Sequence, residues 1–282
     1  MVLGGGSSCV GCHAVARSGT EVAMGYGGET LQTISLPSLA TGISAATQKI
    51  PMGWASYSPD GTRLVVANKG VLALYDAKTG APIGAGGGKV PLPPMRFATH
   101  PDWSPDGAYV AVALTGVAPT NQDVSAASIA RIPFHADTWG PTEVIVAATG
   151  SDNDYFPRYS PDGKYLAYVH ATTAAHGAPD ASLRLVPATG GTPIVLANAA
   201  GAADTMPSWA PQQNQRAWLA FASARAYGVV VPGGGPSQIW ITAIDLAHAA
   251  TSSDPSAGAF WLPSQDVTVL NNNPVWSPSP TP

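Results

Sequence analysis

An all-β chain built of propeller blades is what this sequence predicts, and three observations carry the prediction. The run aromatic-Ser-Pro-Asp-Gly occurs as Tyr57-Ser58-Pro59-Asp60-Gly61, Trp103-Ser104-Pro105-Asp106-Gly107 and Tyr159-Ser160-Pro161-Asp162-Gly163. With worn copies included, the aromatic-to-aromatic steps are 42, 46, 56, 50 and 67 residues, near the ~40–50 of propeller repeats carrying loop insertions. The 31 Gly and 27 Pro stand beside 8 Trp and 9 Tyr, a mixture that favours short strands and tight turns over long helices.

The worn copies are Trp209-Ala210-Pro211, Trp276-Ser277-Pro278 and a faint first unit in which Val15 takes the aromatic place and Arg17-Ser18-Gly19 that of Pro-Asp-Gly. Within one unit, Pro presets the first turn dihedral, Asp bonds back to the backbone, and Gly takes the positive φ that closes a hairpin. A strand follows each turn: Arg63 to Ala67, Tyr109 to Leu114, Tyr165 to Val169 and Ala217 to Ala222. Second strands are expected at Val71 to Asp76, Ser182 to Val186 and Gln238 to Asp245. The turns at Thr79-Gly80 and Thr189-Gly190-Gly191 then lead to a fourth strand, giving four-stranded blades. Isolated hairpins of this kind leave one face bare, so the units must stack around an axis. Five repeats read as complete, and Asn273 to Ser277 supplies the innermost strand of a partial sixth.

The aromatic-Ser-Pro-Asp-Gly units, running from Cys12 to Pro278, resemble the WD-like β-propeller repeats of the TolB family. The resemblance implies a propeller that serves as a rigid interaction platform or as a gate on a separate hydrolase domain. A subset of similar bacterial envelope proteins carries Cys-Val-Gly-Cys-His-Ala at the head of the repeats, as this chain does at residues 9 to 14. A five-bladed ring and a six-bladed ring completed by an upstream segment both suit the repeat count. Six is usual for the family, which points to the second.

The chain's two cysteines fall in Cys9-Val10-Gly11-Cys12-His13, the Cys-x-x-Cys-His pattern of c-type haem attachment. Two thiols at this spacing add to the two vinyl groups of one porphyrin, while the adjacent imidazole reaches the iron. One covalent haem c tethered at Cys9 and Cys12, with His13 as fifth ligand, is therefore expected. Counting three residues back from each aromatic places Cys12, Trp54, His100, Phe156, Met206 and Asn273 at one equivalent position. On the innermost strands these form a ring at one mouth of the channel. His100 and Met206 are then the candidate sixth ligands, and Trp54 and Phe156 apolar walls for the macrocycle. The bland readings stand beside these. Met206, Trp54 and Phe156 also suit plain packing, and His100 also suits hydrogen bonding to its neighbours. The cysteines also suit a short-loop disulfide, free thiols, or a zinc half-site with His13, whose further ligands His100, His170 or His176 have no supporting spacing. Ser151-Asp152-Asn153-Asp154 reads as a solvated turn rather than a calcium loop.

Composition narrows the function classes. The 13 Lys and Arg lie scattered and the net charge is −4, so no basic stripe exists to follow nucleic acid. No apolar run is long enough to span a bilayer. The opening Met1-Val2-Leu3-Gly4-Gly5-Gly6 carries no secretory signal pattern, so an extracytoplasmic location is inferred from the haem motif alone. No Gly-x-Ser-x-Gly elbow, His-Glu-x-x-His or phosphate loop is present. The organisation expected is a flexible segment 1–8, one propeller domain 9–278 and a Pro-rich tail 279–282. The function expected is electron transfer or redox sensing with a redox partner or envelope protein. The alternative is a non-catalytic interaction propeller. A third class, a peroxidase-type enzyme, would use His100 as distal acid-base residue.

Overall fold

The computed structural model describes residues 10–27, 29–36, 38–173, 177–211, 216–227, 235–251 and 253–276. Among them, five antiparallel sheets form the blades of a β-propeller. The first blade is β1 (Val10–Val15), β2 (Glu21–Tyr26) and β3 (Thr30–Ser35). The second is β4 (Trp54–Tyr57), β5 (Arg63–Asn68) and β6 (Val71–Asp76). The third runs β7 (Phe97–Trp103), β8 (Tyr109–Thr115) and β9 (Ser128–His135), with β10 (Thr138–Trp139) and β11 (Glu143–Val146) both paired to β9. The fourth is β12 (Asn153–Tyr159), β13 (Tyr165–Ala171), β14 (Ser182–Pro187) and β15 (Ile194–Val195). The fifth is β16 (Thr205–Trp209), β17 (Arg216–Ser223), β18 (Gln238–Asp245) and β19 (Phe260–Trp261).

The three full repeat turns share one hydrogen-bond pattern. In each, the Ser hydroxyl donates to the Asp carboxylate (2.5, 2.5 and 2.6 Å at Ser58, Ser104 and Ser160) and accepts the N–H that opens the next strand. The Asp carboxylate also accepts the N–H two residues on, from Thr62, Ala108 and Lys164. Gly61, Gly107 and Gly163 all sit at φ of 72–73°, a region open to glycine and costly for other residues. The faint first copy makes the same backbone closure, Gly19 N–H to Ala16 carbonyl at 2.8 Å.

The outermost strand of the first two blades is shortened to isolated bridges, Ile34 to Thr41, Tyr75 to Pro82 and Ala73 to Lys89. In the second blade the cause lies in the sequence: Pro82 lacks an N–H, and Gly84 and Gly86–Gly88 take positive φ, so no continuous ladder forms. The faces of adjacent blades bury their alternating apolar residues against each other. Leu64 and Val66 of β5 pack with Leu31 and Ile43 of the first blade, while Val65 and Ala67 on the opposite face pack with the third.

The innermost strands neighbour one another in the order β1, β4, β7, β12, β16. The described residues build five blades, and the C-terminal piece of the partial sixth repeat is one extended segment that joins no sheet. That segment, Asn273 to Trp276, lines the central cavity together with the five inner strands. Trp276 donates its indole N–H to the Ser208 carbonyl at 3.0 Å. Trp209 donates likewise to Arg158 (3.1 Å) and Trp103 to Ser56 (3.1 Å), so each Trp ties its inner strand to the preceding blade at an equivalent carbonyl.

Candidate functional site

Four inner strands carry a bulge at the same place. Pairing slips between Gly11 and Ala14, Thr99 and Asp102, Tyr155 and Arg158, and Thr205 and Ser208. The bulged residues Cys12, His100, Phe156 and Met206 have φ of 50–52°, and Asn273 in the C-terminal segment has 50°. A bulge of this kind bends the strand and re-aims its side chains. Only Trp54 among the six aligned residues lies in a regular stretch, where β4 pairs with β5 without a slip.

All of these residues but Asn273 come together. Trp54 packs edge-on against His100 (centroids 5.3 Å) and Phe156 (5.0 Å), and the His100 and Phe156 rings lie 3.9 Å apart. His100 and Phe156 are fully buried and Trp54 nearly so. Met206 belongs to the same buried cluster, and half-buried Cys12 packs against it. The Trp54 indole N–H donates to the Asn121 carbonyl, which fixes the ring's orientation. Cys9 lies outside the described residues, as do His176, segment 1–8 and tail 279–282.

His13, beside Cys12 in the first bulge, lines a different space: the central cavity, of about 340 Å³. Burial holds its imidazole below the ordinary value of 6.5, which favours the neutral, ligand-competent form. Around the cavity stand Tyr57, Trp103, Tyr159, Trp209 and Trp276, each at the aromatic position of its repeat. Sequence reasoning missed the charged residues here. Asp102 and Arg158 each precede the repeat aromatic, so equivalent positions of consecutive repeats carry opposite charges. Their side chains approach to 3.6 Å between adjacent inner strands. Asp102 also accepts the Tyr159 N–H at 2.8 Å, and Arg158 donates to the Pro101 carbonyl at 3.2 Å. Burial raises the Asp102 carboxyl above its ordinary range, against the opposing pull of Arg158, the Tyr159 N–H and Arg17. Arg17 stands where the other repeats have Pro, and it crosses from the first blade to donate to the Trp103 carbonyl at 3.1 Å.

The acidic run at 151–154 departs from the solvated turn expected. Asn153 and Asp154 are buried, and Asp154 Oδ1 lies 2.8 Å from His170 Nδ1. No group of three or more metal-ligating side chains occurs among the described residues.

No family description and no curated protein sequence matches the chain. Solved structures do. A putative TolB from Agrobacterium tumefaciens is 15% identical, with 90% of this chain and 80% of that one covered at a TM-score of 0.57. The likeness is one of fold. TolB from Acinetobacter baumannii gives 15% identity, 96% and 58% coverage, and a TM-score of 0.58. Dihydro-haem d1 dehydrogenase NirN in complex with DHE gives 15% identity and a TM-score of 0.54, with 89% of this chain covering 46% of that one. The TolB-like β-propeller fold read from the repeats is therefore shared with solved proteins, and among the described residues no helix is long and apolar enough to cross a membrane.

Proposed function

We propose that this chain is an extracytoplasmic β-propeller carrying one c-type haem, working in electron transfer or redox sensing with a redox partner or envelope protein. The observation that carries the reading is the placement of Cys12 and His13 on the innermost strand of the first blade, with His13 on the wall of the central cavity. The donor set suits the group. Cys12 is half-buried at a bulge, and burial keeps His13 neutral, the form that binds iron. Bound haem would supply an iron that exchanges one electron. Cys9 and Cys12 would tether it and His13 would ligate it. Trp54 and Phe156, buried in the ring behind Cys12, would lower the local dielectric on that side, a lever on reduction potential. His100 and Met206 share the bulge ring with Cys12; as packed against Trp54 and Phe156 they are core residues, so sixth-ligand duty would require that ring to open. The structural likeness to NirN, named for a haem compound, adds support at the level of fold.

A second reading, a colourless interaction propeller with Cys9 and Cys12 as a disulfide or thiols, draws on the likeness to TolB and on the closed aromatic ring behind Cys12. One experiment separates the two. Protein from a host that attaches c-type haem is compared with the Cys9→Ala/Cys12→Ala variant by visible spectrum and intact mass. A gain of one haem with a reduced α-band, absent in the variant, supports the first reading. Apo mass in both leaves the second.

A further inference from the structure

The central cavity holds more positive than negative charge. Both oxygens of Asp102 are engaged, Oδ2 by the Tyr159 N–H at 2.8 Å and Oδ1 by Arg158 at 3.6 Å. Against this one carboxylate stand two guanidiniums, Arg158 from the fourth blade and Arg17 reaching across from the first. Each guanidinium has five N–H donors. The bonds described use Nη1 of Arg158 and Nη2 of Arg17, which leaves further donors on both forks. A partly enclosed cavity with an excess guanidinium favours an anion, and the planar fork favours a carboxylate that it can meet with two parallel bonds. Part of the remaining wall is aromatic. Half-buried Trp209 and Trp276 have given their N–H groups to backbone carbonyls, so what they add to the cavity is apolar ring surface.

We propose that this cavity is a carboxylate-binding site, in which Arg17 and Arg158 receive the anion and the indoles of Trp209 and Trp276 bed a planar apolar body attached to it. Arg17 replaces the Pro of the repeat turn while the backbone closure of that turn is kept, and its side chain serves the channel. Two sources offer this chemistry: a free planar carboxylic acid, or the propionate arms of a porphyrin held at Cys12. The second source rests on the haem reading above; the first does not.

The test uses benzoate as probe, with benzamide as its uncharged counterpart, titrated calorimetrically into the full chain with and without haem. If a free acid is the ligand, the haem-free chain binds benzoate in preference to benzamide. Arg17→Gln and Arg158→Gln then each weaken binding by about tenfold or more, the loss of one charge-assisted pair. If propionates are the ligand, haem loading abolishes benzoate binding and Arg17→Gln shifts the haem midpoint potential. Because Arg17 is exposed at the cavity mouth, its variant should keep the wild-type far-UV circular dichroism even if Arg158→Gln does not fold. Benzoate binding unchanged by Arg17→Gln overturns the proposal. So does absence of benzoate binding together with an unchanged potential. Should no haem attach, the benzoate titration of the apo chain decides alone, so this proposal and the haem reading fail separately.

Discussion

Asp60 and Asp106 hold the repeat turns together, and their chemistry makes the turns sensitive to acid. Burial pushes both carboxyls up, but the Ser58 or Ser104 hydroxyl and the N–H of Thr62 or Ala108 outweigh it, leaving both below the ordinary value of 3.8. The folded chain therefore binds these protons less readily than the unfolded chain. Their contribution is complete above 3.8 and is lost as pH falls through the folded values. The urea midpoint should fall on acidification below about pH 4, and Asp106→Asn should flatten part of that fall; an identical pH profile in the variant would refute the assignment. Asp102 and Asp154 act with the opposite sign, since burial raises both. A second residue-scale expectation concerns Gly163 at φ 72°. Gly163→Ala should cost about 1 kcal/mol, from a side chain forced into the left-handed region, read as a lower urea midpoint with unchanged slope.

At the scale of the element, a bulge bends four of the inner strands, and a cross-blade indole bond ties β7, β16 and the C-terminal segment to the preceding blade. Trp103→Phe keeps an aromatic ring while removing the donor to the Ser56 carbonyl. The expected loss is about 1–2 kcal/mol, since the buried carbonyl is left without that partner, and a variant as stable as wild type would show the bond to be idle. Positions of this kind divide by how local their cause is. The hairpin turns were legible because Ser, Pro, Asp and Gly act within five residues, and the expected strands at Val71 to Asp76 and Gln238 to Asp245 match β6 and β18. The bulges left no local mark: Cys12, His100, Phe156, Met206 and Asn273 share φ near 50° but no side-chain chemistry. Repeat alignment found the position; it could not find the bend. The 151–154 run misled because its fate depends on a distant strand. Register places Asp154 opposite His170 of β13, and the pair buries the charge that composition alone would leave in water.

For the whole molecule, the inner ring includes a segment that belongs to no sheet. Asn273 to Trp276 walls the cavity beside the five inner strands, and Trp276 bonds the fifth blade as Trp103 and Trp209 bond the second and fourth. Trp276→Ala should lower the melting temperature by several degrees, as expected for loss of a packed indole and its hydrogen bond. It should also raise binding of an apolar dye such as ANS. An unchanged melt with no dye binding would mean that the segment does not brace the ring.

The sequence by itself determined the repeat, its turn chemistry, the propeller class and the set of residues that share one repeat position, because each follows from short-range preferences copied along the chain. Tertiary structure alone decided three things. It divided Cys12 and His13 between an aromatic ring and a cavity, and it paired Asp102 with Arg158. It also sent Arg17 across the channel to Trp103. Each joins atoms from different blades. Such contacts depend on how twisted sheets stack around an axis, an outcome of long-range burial that local sequence does not encode.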